Sequence, residues 1–306
     1  MRIIKKTNID FIGKTNSAAV LSTVLIFAGV LSMILNGGPK LSIDFKGGTF
    51  IAVNYTDPVD IETIRSELSS ISIDGQTFDF GNAEIKYFGD ESNIAVRISS
   101  IEDEPKQFSK KFTDILANIF PDKVPTDRSN FILSVEKVGP KVGAELSSDA
   151  IMAMLSALVL ILIYVSIRFE FKYALGAIAA LTHDVLITLG VFSILGYEVS
   201  LAVIAAFLTI VGYSLNDTIV IFDRVRENAK ALKNIHIKDV INQSINESLS
   251  RTIITSLTTF FVVLILFLFG GEVIHTFSFA MIVGVLIGTY SSIFVASPVV
   301  IKMASK

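Results

Sequence analysis

Six apolar runs, each long enough to cross about 30 Å of hydrocarbon as a helix, constrain this chain more than any other feature. They lie near residues 17–36, 150–167, 173–195, 201–222, 252–269 and 276–301. Hydrophobic residues make up 51% of the 306 positions and the mean hydropathy is +0.63. That is more than one globular core can absorb, so the bulk of the chain belongs in lipid. The first run follows a basic leader (residues 1–16) and lacks a small-x-small cleavage site, so it reads as a retained signal-anchor helix. Cysteine is absent, which excludes disulfide frameworks, thiolate zinc sites and thiol redox chemistry.

Charge is distributed very unevenly. The polar stretch between the first two runs, Gly38 to Ser148, carries 12 Lys+Arg against 18 Asp+Glu. The remaining basic residues fall in the leader (Arg2, Lys5, Lys6, Lys14), at Arg168 and Lys172, between Arg224 and Arg251, and at Lys302 and Lys306. The short loops of the opposite side, Gly196–Ser200 and Gly270–His275, contain Glu198 and Glu272 but no Lys or Arg. By the positive-inside rule both termini are expected in the cytoplasm of a multi-pass protein of the bacterial inner membrane, with 37–149 on the external, periplasmic side. The polar segment 223–250 has a helical pattern and is expected as a cytoplasmic amphipathic helix on the membrane surface.

Within 37–149, the stretches 48–55, 83–88, 93–99 and 130–138 show the alternation or β-branched enrichment of strands. One helix is expected after Asp57-Pro58, with Asp57 as N-cap. Another is expected from Glu104-Pro105, with Phe108, Phe112, Ile115, Leu116 and Ile119 on one face. The order βαββαβ predicts a ferredoxin-like α+β domain with one sheet face under two helices. The fold class is therefore a polytopic α-helical membrane protein of six transmembrane helices, with that domain inserted between helices one and two. The inserted domain has no His or Cys and its carboxylates are scattered, so binding is expected of it rather than chemistry.

A charged side chain at the bilayer centre costs about 2.5–3.5 kcal/mol on insertion scales. His183 and Asp184 in helix three, Asn216 and Asp217 in helix four, and Arg251 at the start of helix five therefore each need a reason, and they are candidates for a proton path. Helical spacing puts Thr209, Tyr213, Asn216 and Asp217 on one face of helix four, and Arg251, Thr255, Thr258 and Thr259 on one face of helix five. If these helices run antiparallel, Asp217 and Arg251 lie at similar depths and are expected to pair, either for chemistry or only to fix packing. For Asp184 the bland alternative is a hydrogen bond to a nearby Ser or Thr. Gly284, Gly288 and Ser292 in helix six, and Gly176, Ala180, Asp184 and Thr188 in helix three, recur every four positions and mark close helix contacts. No Gly-rich phosphate loop occurs, so any energy source is expected in the membrane.

Five stretches carry a resemblance over nearly the whole chain: IDFKGGT (43–49), VGPKVGAEL (138–146), THDVLITLGVFSILG (182–196), GYSLNDTIVIFDRVREN (212–228) and NESLSRTIITSLTT (246–259). In them the chain resembles the SecF branch of the SecD/SecF family, within the resistance-nodulation-division superfamily. The resemblance implies a half-transporter whose six helices pair with six from SecD to promote late steps of polypeptide export through the SecYEG channel at the expense of the proton motive force. It is a transport subunit rather than an enzyme. The partners implied are SecD, SecYEG, YajC, an unfolded secretory polypeptide, protons and the bilayer, with no nucleic acid, cofactor or metal. In such proteins the Asp of the SLNDT stretch and the Arg of the LSRT stretch serve proton passage, here Asp217 and Arg251. Asn216, Thr255 one turn from Arg251, and Asp184 are the added candidates for this pathway. A passive scaffold stabilising SecD or the channel, and a small-molecule or lipid exporter of the same superfamily, remain the alternatives.

Overall fold

A computed structural model describes residues 7–232 and 235–304. Arg2, Lys5, Lys6, Lys233 and Lys306, counted above among the basic residues, lie outside them. The chain divides into two units, Leu41–Asp149 and the helices before and after it.

The helix unit begins with α1 (Thr15–Leu35). The soluble unit follows, with α2 (Ile43–Lys46), β1 (Gly48–Asn54), α3 (Ile61–Leu68), β2 (Ile71–Ile73), β3 (Gln76–Phe78), β4 (Glu84–Phe88), β5 (Asp90–Ile98), α4 (Phe108–Ile119) and β6 (Ile132–Val138). Then come α5 (Pro140–Arg168), α6 (Phe171–Leu195), α7 (Leu201–Ala231), α8 (Ile237–Phe269), α9 (Glu272–Ser291), a π turn (Ser292–Ala296) and α10 (Ser297–Ala304). Among the described residues, six helices are long and apolar enough to cross a membrane, the last running through α9, the π turn and α10.

In the soluble unit the sheet order is β4-β5-β1-β6 with every neighbour antiparallel. This is the ferredoxin-like order, with α3 and α4 on one face. Ile51, Val53, Ile64, Leu68, Ile94, Phe112 and Leu116 form the dry layer between. The buried Tyr55 hydroxyl donates to Leu116 O at 2.7 Å, which satisfies the polar end of an otherwise apolar ring. Both helices start later than their sequence signals suggested. Asp60 rather than Asp57 caps α3, its carboxylate accepting from Thr63 N and Thr63 Oγ1 at 2.8 and 2.7 Å. That start turns Ile64 and Leu68 onto the sheet. Glu104 pairs with Lys137 instead of opening a helix, and α4 begins after Gln107, a non-glycine residue at φ +57°. The hairpin β2–β3 was not anticipated; its two-residue turn is Asp74-Gly75, both at positive φ, as a type I′ turn requires.

In the helix unit α6, α7 and α9 occupy the centre, while α1, α5 and α8 present most of their apolar side chains outward. The glycines of the centre are contact points. A Cβ on Gly29 of α1 would lie 2.6 Å from Gly190 Cα on α6, one on Gly176 would lie 2.9 Å from Ala296 O, and one on Gly284 would meet Ile210 at 2.3 Å. The expected surface helix at 223–250 is not a separate element. Its residues up to Ala231 form the end of α7 and those from Ile237 the first turns of α8, which pack on each other and bury Val225, Val240, Ile241 and Ile245. Asn228 Nδ2 joins them by donating to Ser244 Oγ and Glu247 Oε2, each at 3.0 Å. The apolar stripe thus faces a neighbouring helix instead of lipid. The π turn answers Pro298, which has no N–H to offer the carbonyl four residues back and whose ring would crowd it. Ser297 Oγ donates to Ser292 O at 3.0 Å in the widened turn.

Candidate functional site

Among the described residues two carboxylates are buried in the helix unit, Asp184 of α6 and Asp217 of α7, at 0% and 2% exposure. Their surroundings differ in kind. Asp217 Oδ1 is 3.4 Å from Thr255 Oγ1 and Oδ2 is 3.3 Å from Ser256 Oγ, both on α8. These are long for O–H···O bonds, whose usual span is about 2.5–3.0 Å. Thr255 Oγ1 also lies 3.1 Å from Arg251 O and 2.9 Å from Thr252 O, so its hydrogen is contested. Ser256 Oγ makes its short contact, 2.7 Å, with Thr289 Oγ1 of α9. Close by in sequence, Tyr213 OH, Thr218 Oγ1 and Thr252 Oγ1 are buried without a hydrogen-bond partner.

Arg251 does not pair with Asp217. Its side chain is exposed, and among the described residues it forms no ion pair with any carboxylate. The helices do bring Asp217 to the turn that follows Arg251, where Thr255 and Ser256, four and five residues further along α8, contact it in place of the arginine. Asn216, adjacent to Asp217, points about 100° away and is exposed, as is Thr209. Thr209 and Thr258 return their hydroxyls to their own helices, at Ala205 O and Ile254 O. Of the residues predicted for the site, Asp217 and Thr255 therefore meet, Arg251 and Asn216 stand at the surface of this chain, and Asp184 belongs to a second cluster.

That cluster is tightly bonded. Asp184 Oδ2 accepts from Ser214 Oγ of α7 at 2.6 Å and from Ser291 Oγ of α9 at 2.8 Å, while Oδ1 lies 2.9 Å from His183 Nδ1. His183 Nε2 lies 2.9 Å from Ser22 Oγ of α1, which in turn lies 3.0 Å from Tyr290 OH. Sequence reasoning missed Ser22, Ser214, Ser256, Thr289, Tyr290 and Ser291. Ser214 had a signal, three residues before Asp217 on one helix; the others depend on which helices are neighbours. Among the described residues no three His, Asp or Glu side chains come together as metal ligands.

The chain is similar to known proteins along its full length. A family model described as "Protein export membrane protein SecD/SecF, C-terminal" matches residues 122–306. The protein translocase subunit SecF of Calditerrivibrio nitroreducens is 47% identical, over 100% of this chain and 97% of that protein. That of Rhodothermus marinus is 43% identical, over 100% and 96%. The crystal structure of SecDF, a translocon-associated membrane protein from Thermus thermophilus, superposes with a TM-score of 0.84 at 36% identity over 98% of this chain. A SecDF structure in a super-membrane-facing form gives 0.67 at 35% identity over 100%. The chain spans 39% and 40% of those two solved chains.

Proposed function

Because the chain belongs to the SecD/SecF family of protein export membrane proteins, we propose that it works with SecD beside the SecYEG channel, with YajC as a further partner, and uses the proton motive force to promote late steps of polypeptide translocation. The observation that carries this reading is the loose hold on Asp217. A buried carboxylate with two long hydroxyl contacts and no ion pair can gain or lose a proton without breaking a strong bond, which is what a group that cycles between protonation states needs. The unpaired hydroxyls of Tyr213, Thr218 and Thr252 leave polar capacity next to it.

Arg251 and Asn216 fit the same scheme from outside. A guanidinium and an amide exposed on helices of a membrane unit ask for a polar surface to face, and six helices of SecD supply one. The proton path then runs between two proteins, through Asp217 and Thr255 with Asn216 and Arg251 at the seam, and Asp184 behind them. The charge asymmetry orients the chain with both termini in the cytoplasm of an inner membrane and Leu41–Asp149 outside, where an unfolded secretory polypeptide emerges. Moving one charge across 100 mV supplies about 2.3 kcal/mol, so three protons suffice for the roughly 5.5 kcal/mol that inverts a two-state equilibrium.

Export of a model secretory protein into inverted vesicles containing SecD tests the reading, with the proton gradient present or collapsed. Asp217→Asn is expected to lower late-stage export at least tenfold and to make the remainder insensitive to the gradient. Normal, gradient-dependent export by Asp217→Asn would reduce Asp217 to a packing residue and leave a passive scaffold.

A further inference from the structure

The cluster around Asp184 contains more contacts than its hydroxyls can fill with hydrogens. Six close contacts run through it: Ser214 Oγ and Ser291 Oγ to Asp184 Oδ2, His183 Nδ1 to Asp184 Oδ1, His183 Nε2 to Ser22 Oγ, Ser22 Oγ to Tyr290 OH, and Tyr290 OH to Ala18 O at 2.7 Å. Each needs one hydrogen between its heavy atoms to be attractive. Ser22, Ser214, Ser291 and Tyr290 bring four. The other two must come from Asp184 and His183 together. Ser291 Oγ also lies 3.2 Å from Gly288 O, and if its hydrogen went there the demand on the pair would only rise.

We infer that His183 and Asp184 form a second proton-binding centre, a buried pair that holds two protons where an ionised acid beside a neutral imidazole would hold one. Asp184 Oδ2 already accepts two hydroxyl hydrogens, and each ring nitrogen of His183 has an oxygen within 2.9 Å, so both protons are placed on the imidazole ring. The His183 ring lies over that of Tyr290, centroids 5.9 Å apart and planes 22° apart, within the range at which a cation is attracted to an aromatic face. The hydrogens then run one way, from His183 Nε2 to Ser22, from Ser22 to Tyr290, and from Tyr290 to the Ala18 carbonyl.

Loss of one proton to the aqueous phase leaves five hydrogens for six contacts. Ser22 turns its hydrogen back to Nε2, and one contact to α1 is left without a hydrogen: Ser22 to Tyr290, or Tyr290 to the Ala18 carbonyl if Tyr290 turns to Ser22. The seam that opens is the one holding α1 to α6 and α9, so occupancy of this centre is read as the attachment of α1. Among the described residues no other titratable group bonds to the pair: α1 has none from Thr15 to Leu35, Asp217 of α7 has its contacts on α8, Asp223 pairs with Arg168 and Glu227 with Arg224, Tyr213 OH has no hydrogen-bond partner, His275 of α9 contacts Phe267 O, Tyr290 is already counted, the π turn has none, and Lys302 lies in the last turn of α10. The inference concerns hydrogen positions and stands whether or not export is proton-driven.

Nitrogen NMR of the full chain in lipid nanodiscs, with ¹⁵N-labelled histidine, tests it. The chain has three histidines, and His183→Gln assigns the signals. At neutral pH both ring nitrogens of His183 are expected to be protonated. Tyr290→Phe removes one hydrogen and two contacts, leaving four contacts that three hydroxyls and a single proton on the pair can fill. Ser22→Ala has the same arithmetic. In either variant the doubly protonated fraction should fall at least tenfold, with one ring nitrogen becoming an acceptor. A singly protonated ring in the unsubstituted chain, or a ring indifferent to both substitutions, overturns the inference.

Discussion

The soluble unit and the helix unit use the same kinds of side chain in opposite places. In the soluble unit, aromatic and aliphatic bulk fills the interior, with Tyr55, Phe108, Phe112 and Phe131 all nearly inaccessible, and acids such as Asp60 and Asp127 work at the surface as caps. In the helix unit much of the bulk faces outward, as at Phe27, Ile167, Phe261 and Phe269, while acids, hydroxyls and glycines are buried. Water rewards burial of apolar area, but hydrocarbon does not distinguish leucine from lipid. The helix unit therefore depends on close backbone approach and hydrogen bonds, and the soluble unit on volume.

That difference predicts opposite sensitivities to side-chain size. Phe112→Ala should cost the soluble unit about 3–5 kcal/mol, since a fully buried ring is lost from a layer that has no water-accessible way to collapse. Urea-dependent proteolysis within Leu41–Asp149 reads this; a cost under about 1 kcal/mol would break the comparison. Next in size, Gly29→Val should cost the helix unit about 1–3 kcal/mol, because the added carbons meet the Gly190 backbone of α6 rather than a movable side chain. Thermal unfolding of the helices in detergent, with α1 loosening first, checks it.

The smallest effect sharpens the contrast between surface and buried acids. Hydroxyl and amide donors from Thr63 hold the Asp60 carboxyl below its ordinary value, and the amide and hydroxyl of Ser129 do so for Asp127. Groups depressed on folding contribute stability above their unfolded value, near about 3.9, and lose it as pH falls through the lower folded value. Asp60→Asn with Asp127→Asn should accordingly flatten the acid limb of soluble-unit unfolding, with little change at neutral pH. An unchanged acid limb would mean that other carboxylates set it.

What could be read from the sequence followed periodicity. Six apolar runs and four strands have periods that survive without knowledge of neighbours, and Phe112 and Leu116 identified themselves as core by spacing. Local punctuation was read less well. Asp57-Pro58 and Glu104-Pro105 look like helix starts, yet the register of Ile64 and Phe108 on the sheet placed the caps three residues later, and Asp74-Gly75 carried a hairpin signal that short flanking strands obscured. The buried hydroxyls were illegible for a different reason. Ser22, Ser291 and Thr289 are unremarkable residues in apolar helices until α1, α8 and α9 are known to surround Asp184 and Asp217. Arg251 shows the converse: a charge at a helix start suggested a partner within the chain, and the packing of α8 turned it outward.

The π turn makes the end of this chain intolerant of a change in length. An uninterrupted α-helix advances about 100° per residue, so the extra residue held in 292–296 sets which face α10 presents. Deleting one residue there would rotate Val300 and Ile301 out of the buried apolar cluster to which Tyr173 and Ala174 also belong, and would bring the Pro298 ring onto a carbonyl it now avoids. Insertions and deletions here are confined to pairs that restore the phase. The proline and the widened turn are in this sense a single character, inherited together or lost together.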